Sequence, residues 1–135
     1  MPPIKIFLID DDQIFVFLTK KTIESTGIKT EVRVFGDGEE AIDYLREASQ
    51  TIELLPDIIC LDLSMPIMDG WEFLEEFILL KPKIEKKVIL YLVSSSISPH
   101  DIERAKNISV VSDFIIKPVV KEKIIELFQT FNQPQ

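Results

Sequence analysis

Three aspartates in a row, Asp10, Asp11 and Asp12, follow the apolar run IKIFLI, and a fourth, Asp62, stands inside a second apolar run, DIICLDL. Adjacent carboxylates repel, and each raises its neighbours' pKa unless a cation or hydrogen-bond donors offset the charge. Gathered in one place they are costly alone and stable around a hard dication. Mg2+ favours oxygen ligands, retained waters and one or two carboxylates, often with a phosphate completing its shell. Ca2+ asks for more oxygens and a dedicated loop, and no EF-hand spacing is present. A plainer role, capping a helix and complementing its dipole, suits Asp12. Asp10 and Asp11 with Asp62 read instead as a site. Ser94, which opens the triplet SSS, and Lys117, in IIKP, can join them. A lysine beside acids binds phosphate as a point charge. Aspartate, Mg2+, hydroxyl and lysine together suit phosphoryl transfer onto Asp62, with the carboxylate as nucleophile and the cations offsetting charge on the transferring oxygens.

That chemistry requires elements able to bring distant residues together. Apolar runs at 4–9, 31–35, 57–63, 88–93 and 113–116 alternate with helical patterns. Asp12 caps a helix over about 13–26 that stops at Gly27, and Asp37 with Glu40 has capping-box spacing before a helix over about 38–49. Asp69 with Glu72 repeats that spacing ahead of a helix ending before Pro82. Ser98-Pro99 starts a helix over about 99–107. Val120, Ile124, Leu127, Phe128 and Phe131 form the apolar face of a last helix. Five strands alternating with five helices imply an α/β fold, a parallel sheet with helices on both faces. DIICLDL and VILYLV are apolar throughout, as central strands must be. TEVRVF alternates polar and apolar residues like a half-exposed edge. An edge second strand and a central third suit the flavodoxin-like order 2-1-3-4-5, whose reversal point between strands 1 and 3 binds ligands. In that order Asp10, Asp11 and Asp62 converge.

The pieces LIDDD, ICLDLSMPIMDGWEFL, VSSS and DFIIKP, in this order, resemble the receiver domain of two-component response regulators over essentially the whole chain. The resemblance implies that Asp62 is the phosphoacceptor, and that Asp10, Asp11, Asp62 and the backbone carbonyl of Ser64 hold Mg2+. It makes Ser94 the switch hydroxyl, Lys117 the phosphoryl ligand, Phe114 the switch aromatic and Lys117–Pro118 a cis bond. The implied partners are a sensor histidine kinase or phosphotransfer protein, and a downstream protein target meeting the face of helix 4, strand 5 and helix 5. The chain departs from the usual pattern in NISVVSDF, which lacks the glycine common before the fifth strand, and in REASQTIELLP, which lengthens helix 2 or the loop after it. Phe114 has no hydroxyl.

The bulk properties agree. At 135 residues, 46% hydrophobic and 28% charged, the chain suits one domain spanning 1–135 with a core over about 4–131. A net charge of −8 without a basic cluster disfavours direct nucleic-acid binding. The apolar runs are too short to cross a bilayer, and the N-terminus does not resemble a signal peptide. A cytoplasmic setting is expected, in which Cys60 is a small reduced core residue. No output domain is recognised after the last helix, so a stand-alone receiver is expected, and the polar tail NQPQ should fray. Trp71 is read as partly packed, His100 as solvated, and Met65 and Met68 as loop-packing residues. A flavodoxin is disfavoured because acids after strand 1 would repel the flavin phosphate. A haloacid-dehalogenase-type phosphatase would need a carboxylate where Ser64 stands. A non-phosphorylated pseudo-receiver acting as a protein-binding module is the alternative function.

Overall fold

The computed structural model describes residues 2–95 and 98–132. Its elements run β1 (Ile4–Ile9), α1 (Gln13–Ser25), β2 (Thr30–Phe35), α2 (Gly38–Ala48), β3 (Ile58–Asp62), α3 (Gly70–Leu80), β4 (Ile89–Ser94), α4 (Pro99–Lys106), β5 (Val111–Ile116) and α5 (Lys121–Asn132). The strands form one parallel sheet in the order β2-β1-β3-β4-β5. β3 and β4 are buried at every position, whereas β2 exposes Glu31 and Arg33. The difference between central and edge strands follows from which faces the helices cover.

The first four helices each start where a side chain satisfies some of the first free N–H groups. The Asp12 carboxylate accepts from the Ile14 and Phe15 N–H groups, Asp37 from Glu40, and Ser98 from Asp101. Asp69 and Glu72 complete a reciprocal capping box at α3. Gly27 follows α1 at φ 73°, a left-handed conformation that costs glycine little.

Strand alternation divides the core in two. Phe7, Ile9, Ile59, Leu61, Leu90 and Leu92 pack under α2 and α3, where Ala41, Leu45, Phe73 and Phe77 complete a dry layer. Ile6, Leu8, Ile58, Cys60, Tyr91 and Val93 pack on the other face against Val16, Ile23, Ile124 and Phe128 of α1 and α5. Burial pushes the Cys60 thiol up to about 12, so it stays protonated and inert.

Two local expectations need correction, while the extra length before β3 falls in the loop after α2 as expected. β5 begins at Val111 rather than Asp113, because the pairing skips a residue: Leu90 opposes Val111 while Tyr91 opposes Asp113. That irregularity breaks the alternation by which a strand is read. Val120 is 52% exposed, not part of the α5 core face, because the helix starts one residue later and Val119 takes the buried place. The extra length before β3 becomes a 3-10 turn over Ile52–Leu54, with Leu55 fully buried behind it. As expected, Trp71, Met65 and Met68 pack partly against the core, and His100 is exposed. The last tail residues, 133–135, and Ser96 of the serine triplet lie outside the described residues.

The junction of β3 with α3 sets the site's geometry. Gly70 N–H donates to the Leu63 carbonyl at 3.0 Å. A Cβ at Gly70 would lie 2.5 Å from the Asp62 carbonyl oxygen and 2.8 Å from Leu63 Cα, both backbone atoms of the strand end. Only glycine lets α3 start so close to that strand. Gly70→Ala is therefore expected to lower stability by about 1–3 kcal/mol, the usual cost of overpacking. Urea denaturation checks this, and a change within about 0.5 kcal/mol, the range of an ordinary surface substitution, would contradict it.

Candidate functional site

Because β1 lies beside β3 with Ile9 opposite Leu61, Asp10 and Asp62 emerge together at the carboxyl edge of the sheet. By alternation both follow the α1–α5 side, in line with Leu8 and Cys60. One carboxylate oxygen from each of Asp10, Asp11 and Asp62 lies within 4.8 Å of the others. Asp10 and Asp62 are only 4% and 6% exposed, while Asp11 opens to solvent.

Lys117 reaches the cluster from the far side of the sheet. β5 ends beside β4, Lys117 N–H donates to the Ser94 carbonyl at 2.9 Å, and the Lys117–Pro118 bond is cis, as the resemblance implied. The ammonium stands 2.8 Å from Asp10 Oδ2 and 3.8 Å from Asp62 Oδ1, with its side chain 12% exposed. It is the close ion-pair partner of Asp10 and a more distant counter-charge for Asp62. The other Asp10 oxygen, Oδ1, accepts from the Asp12 N–H at 2.9 Å.

One ammonium does not neutralise this cluster. The Asp62 carboxyl is pushed up to about 6, first by burial and then by the Asp10 charge, with Asp11 adding to the rise. Lys117 and the Ser64 N–H pull it back only in part. Excess negative charge, an all-oxygen donor set and an outer edge open to water match what Mg2+ takes. Ser64 lies exposed at the rim, two residues beyond Asp62, and so places a backbone carbonyl nearby in sequence.

Ser94 is buried at the end of β4, just past the residue that pairs with Asp62. It follows the opposite face of the sheet, that of Leu90 and Leu92. Phe114 packs partly into that same layer from β5. The two residues thus share a face without being register partners, since Ser94 pairs with Ile116 and Phe114 with Leu92.

Two features escaped the sequence reading. The Phe15 ring lies 4.1 Å from the Lys117 ammonium. Apolar side chains are also exposed on segments adjoining the site residues in sequence: Ile14 and Leu18 on α1, Ile67 after β3, and Val120 before α5. Part of this second feature had a signal, because IFVFL at 14–18 has too many consecutive apolar residues for one helix face. Ile67 is additionally left-handed, at φ 68°, a conformation that costs a β-branched residue about 1–2 kcal/mol.

In chelator, Asp62→Asn is expected to raise the unfolding free energy by about 1 kcal/mol or more, since it removes one of three crowded like charges while leaving Lys117 on Asp10. Thermal and urea unfolding measure this. A loss of stability would mean that the Asp62–Lys117 attraction outweighs the crowding.

The receiver domain of response regulators, as a family model, matches residues 6–129. A two-component response regulator from Cytophaga hutchinsonii is 31% identical, with a TM-score of 0.86 over 96% of this chain and 98% of that one. A phosphorylated cyanobacterial phytochrome response regulator, RcpA, is 30% identical, with a TM-score of 0.71 over 96% of this chain and 89% of that one. A protein-glutamate methylesterase/protein-glutamine glutaminase of Geobacter sulfurreducens is 35% identical over 94% of this chain, which spans 32% of its length. The chain spans 77% and 52% of two other curated relatives. The fold, the four motif pieces and these likenesses agree, and the chain belongs to the receiver domain family of two-component response regulators.

Proposed function

We propose that Asp62 accepts a phosphoryl group from a histidine kinase or phosphotransfer protein and that the protein signals through the resulting change at its surface. The convergence of Asp10, Asp11 and Asp62 with Lys117 at the sheet edge carries this reading. An Asp62 carboxylate oxygen attacks phosphorus, the new P–O bond forms as the bond to the donor breaks, and the donor leaves with that electron pair. Asp10, Asp11, Asp62 and the Ser64 carbonyl would hold Mg2+, which when bound supplies positive charge beside the transferring oxygens. The Lys117 ammonium offsets the charge that arrives on Asp62. The exposed Ile14 and Leu18 on α1, Ile67 after β3 and Val120 before α5 support docking of a protein donor. The phosphorylated state of RcpA supports the same chemistry.

The output runs through Ser94 and Phe114. New phosphoryl oxygens on Asp62 draw the Ser94 hydroxyl toward them, which frees space beside β4 on the face that Phe114 shares. Phe114 and Ile116 line a groove of about 290 Å3 between α4 and β5, with Ile102 and Ala105 opposite. A downstream protein meeting this α4–β5–α5 face would sense the rearrangement. No described helix is long and apolar enough to cross a membrane. With the buried thiol and the net charge of −8, this supports a cytoplasmic setting without direct nucleic-acid contact.

Acetyl phosphate with Mg2+ should label the protein at one site, seen as a shifted band on Phos-tag gels, and Asp62→Asn should abolish the label. Labelling of that variant at the wild-type level would sink the assignment, and an unlabelled wild type would favour the protein-binding pseudo-receiver. Ser94→Ala should still be labelled but lose most of the amide shifts that beryllofluoride induces around Phe114 and α4. A full set of shifts in that variant would route the coupling elsewhere.

A further inference from the structure

We propose that Phe15 is a positioning residue, whose ring face holds the Lys117 ammonium between Asp10 and Asp62. The inference rests on the proposed phosphoryl transfer to Asp62 and adds a residue to it. Lysine is a compact charge on a flexible four-carbon stem. Its position is defined only by what surrounds its end. Asp10 alone, at 2.8 Å, would draw the ammonium away from Asp62, which is at 3.8 Å. The Phe15 ring, 4.1 Å away, takes a further side of the charge in place of water. A desolvated ammonium gains more from a ring face than an exposed one does, and this side chain is 12% exposed.

The ring is itself fixed. Phe15 N–H donates to Asp12 Oδ1 at 3.0 Å, Asp12 N–H donates to Asp10 Oδ1 at 2.9 Å, and Lys117 closes the circuit on Asp10 Oδ2. The third aspartate therefore does more than cap α1. It ties the helix turn that holds the ring to the carboxylate that the lysine binds. Around it the ring is half-buried and lines a small apolar void with Leu8, Thr19, Cys60 and Val119. A leucine could fill that packing role but could not hold the ammonium. Displacing a charge from where it meets a transferring group lowers the rate without removing the group.

The test replaces Phe15 with mono-, di- and trifluorinated phenylalanine, which keep the ring's shape and progressively weaken its attraction for a cation. The measurement is the rate of Asp62 phosphorylation by acetyl phosphate at saturating Mg2+. The rate should fall stepwise along the series, by about three- to tenfold at its end, with the melting temperature unchanged. Phe15→Leu should show a similar loss and Phe15→Tyr should stay near wild type. The ring-current shift of the Lys117 side-chain protons should vanish in Phe15→Leu. A flat rate series in a wild-type background that labels normally would overturn the positioning role alone. Failure of the wild type to label at Asp62 would overturn the phosphotransfer reading and this inference with it. Should Phe15→Leu not fold, the fluorinated series still decides, since it leaves the packing intact.

Discussion

The ion pair between Lys117 and Asp10, at 2.8 Å, is the contact on which the carboxyl edge of the sheet depends. It joins the end of β1 to the end of β5, two strands with β3 and β4 between them. Both partners are nearly buried, and a buried pair earns little net stability once desolvation is counted. Its value lies in what it permits. Without a cation there, Asp10, Asp11 and Asp62 could not share a space in which their oxygens come within 4.8 Å. With it, the cluster keeps an excess of negative charge, visible in the raised Asp62 carboxyl. The three carboxylates thus keep the arrangement of a group that could hold a metal ion, with the Lys117 counter-charge beside it.

The sheet separates two tasks. Asp10, Asp62 and Lys117 belong to the side of α1 and α5, where the Phe15 ring lies against the ammonium and the Asp12 cap is hydrogen-bonded to both Phe15 and Asp10. Ser94 and Phe114 belong to the other side, under α3 and α4. The acids and the ammonium thus follow one layer while Ser94 and Phe114 follow the other. Strand alternation makes this division unavoidable, since neighbours along a strand must face opposite ways.

Within the side of Ser94 and Phe114, α4 is lightly held. α4 buries only Ala105 among its own residues. The Arg104 guanidinium adds a tie to the body, stacking 4.2 Å over the Trp71 ring of α3. A helix with so little buried surface shifts at small cost.

Much of this was legible in the residues. Strand order followed from hydrophobicity, because a strand covered on both faces must be apolar along its covered length, and IICL and ILYLV are, while TEVRVF is not. Helix starts followed from Asp12, Asp37, Asp69 and Ser98, because free N–H groups need acceptors within a few residues. Asp62, Asp10, Asp11 and Lys117 could be grouped because strand order alone decides which strand ends are neighbours. The irregular pairing at Leu90–Tyr91, the exposure of Val120 and the ring of Phe15 over Lys117 could not be read in advance. Each depends on how one element settles against another: a skipped pair in a ladder, a helix starting one residue later, a side chain meeting a charge more than a hundred residues away. Local preference and periodicity act over a few neighbours and are written in the chain, whereas the approach of Phe15 to Lys117 exists only once the sheet has closed between them.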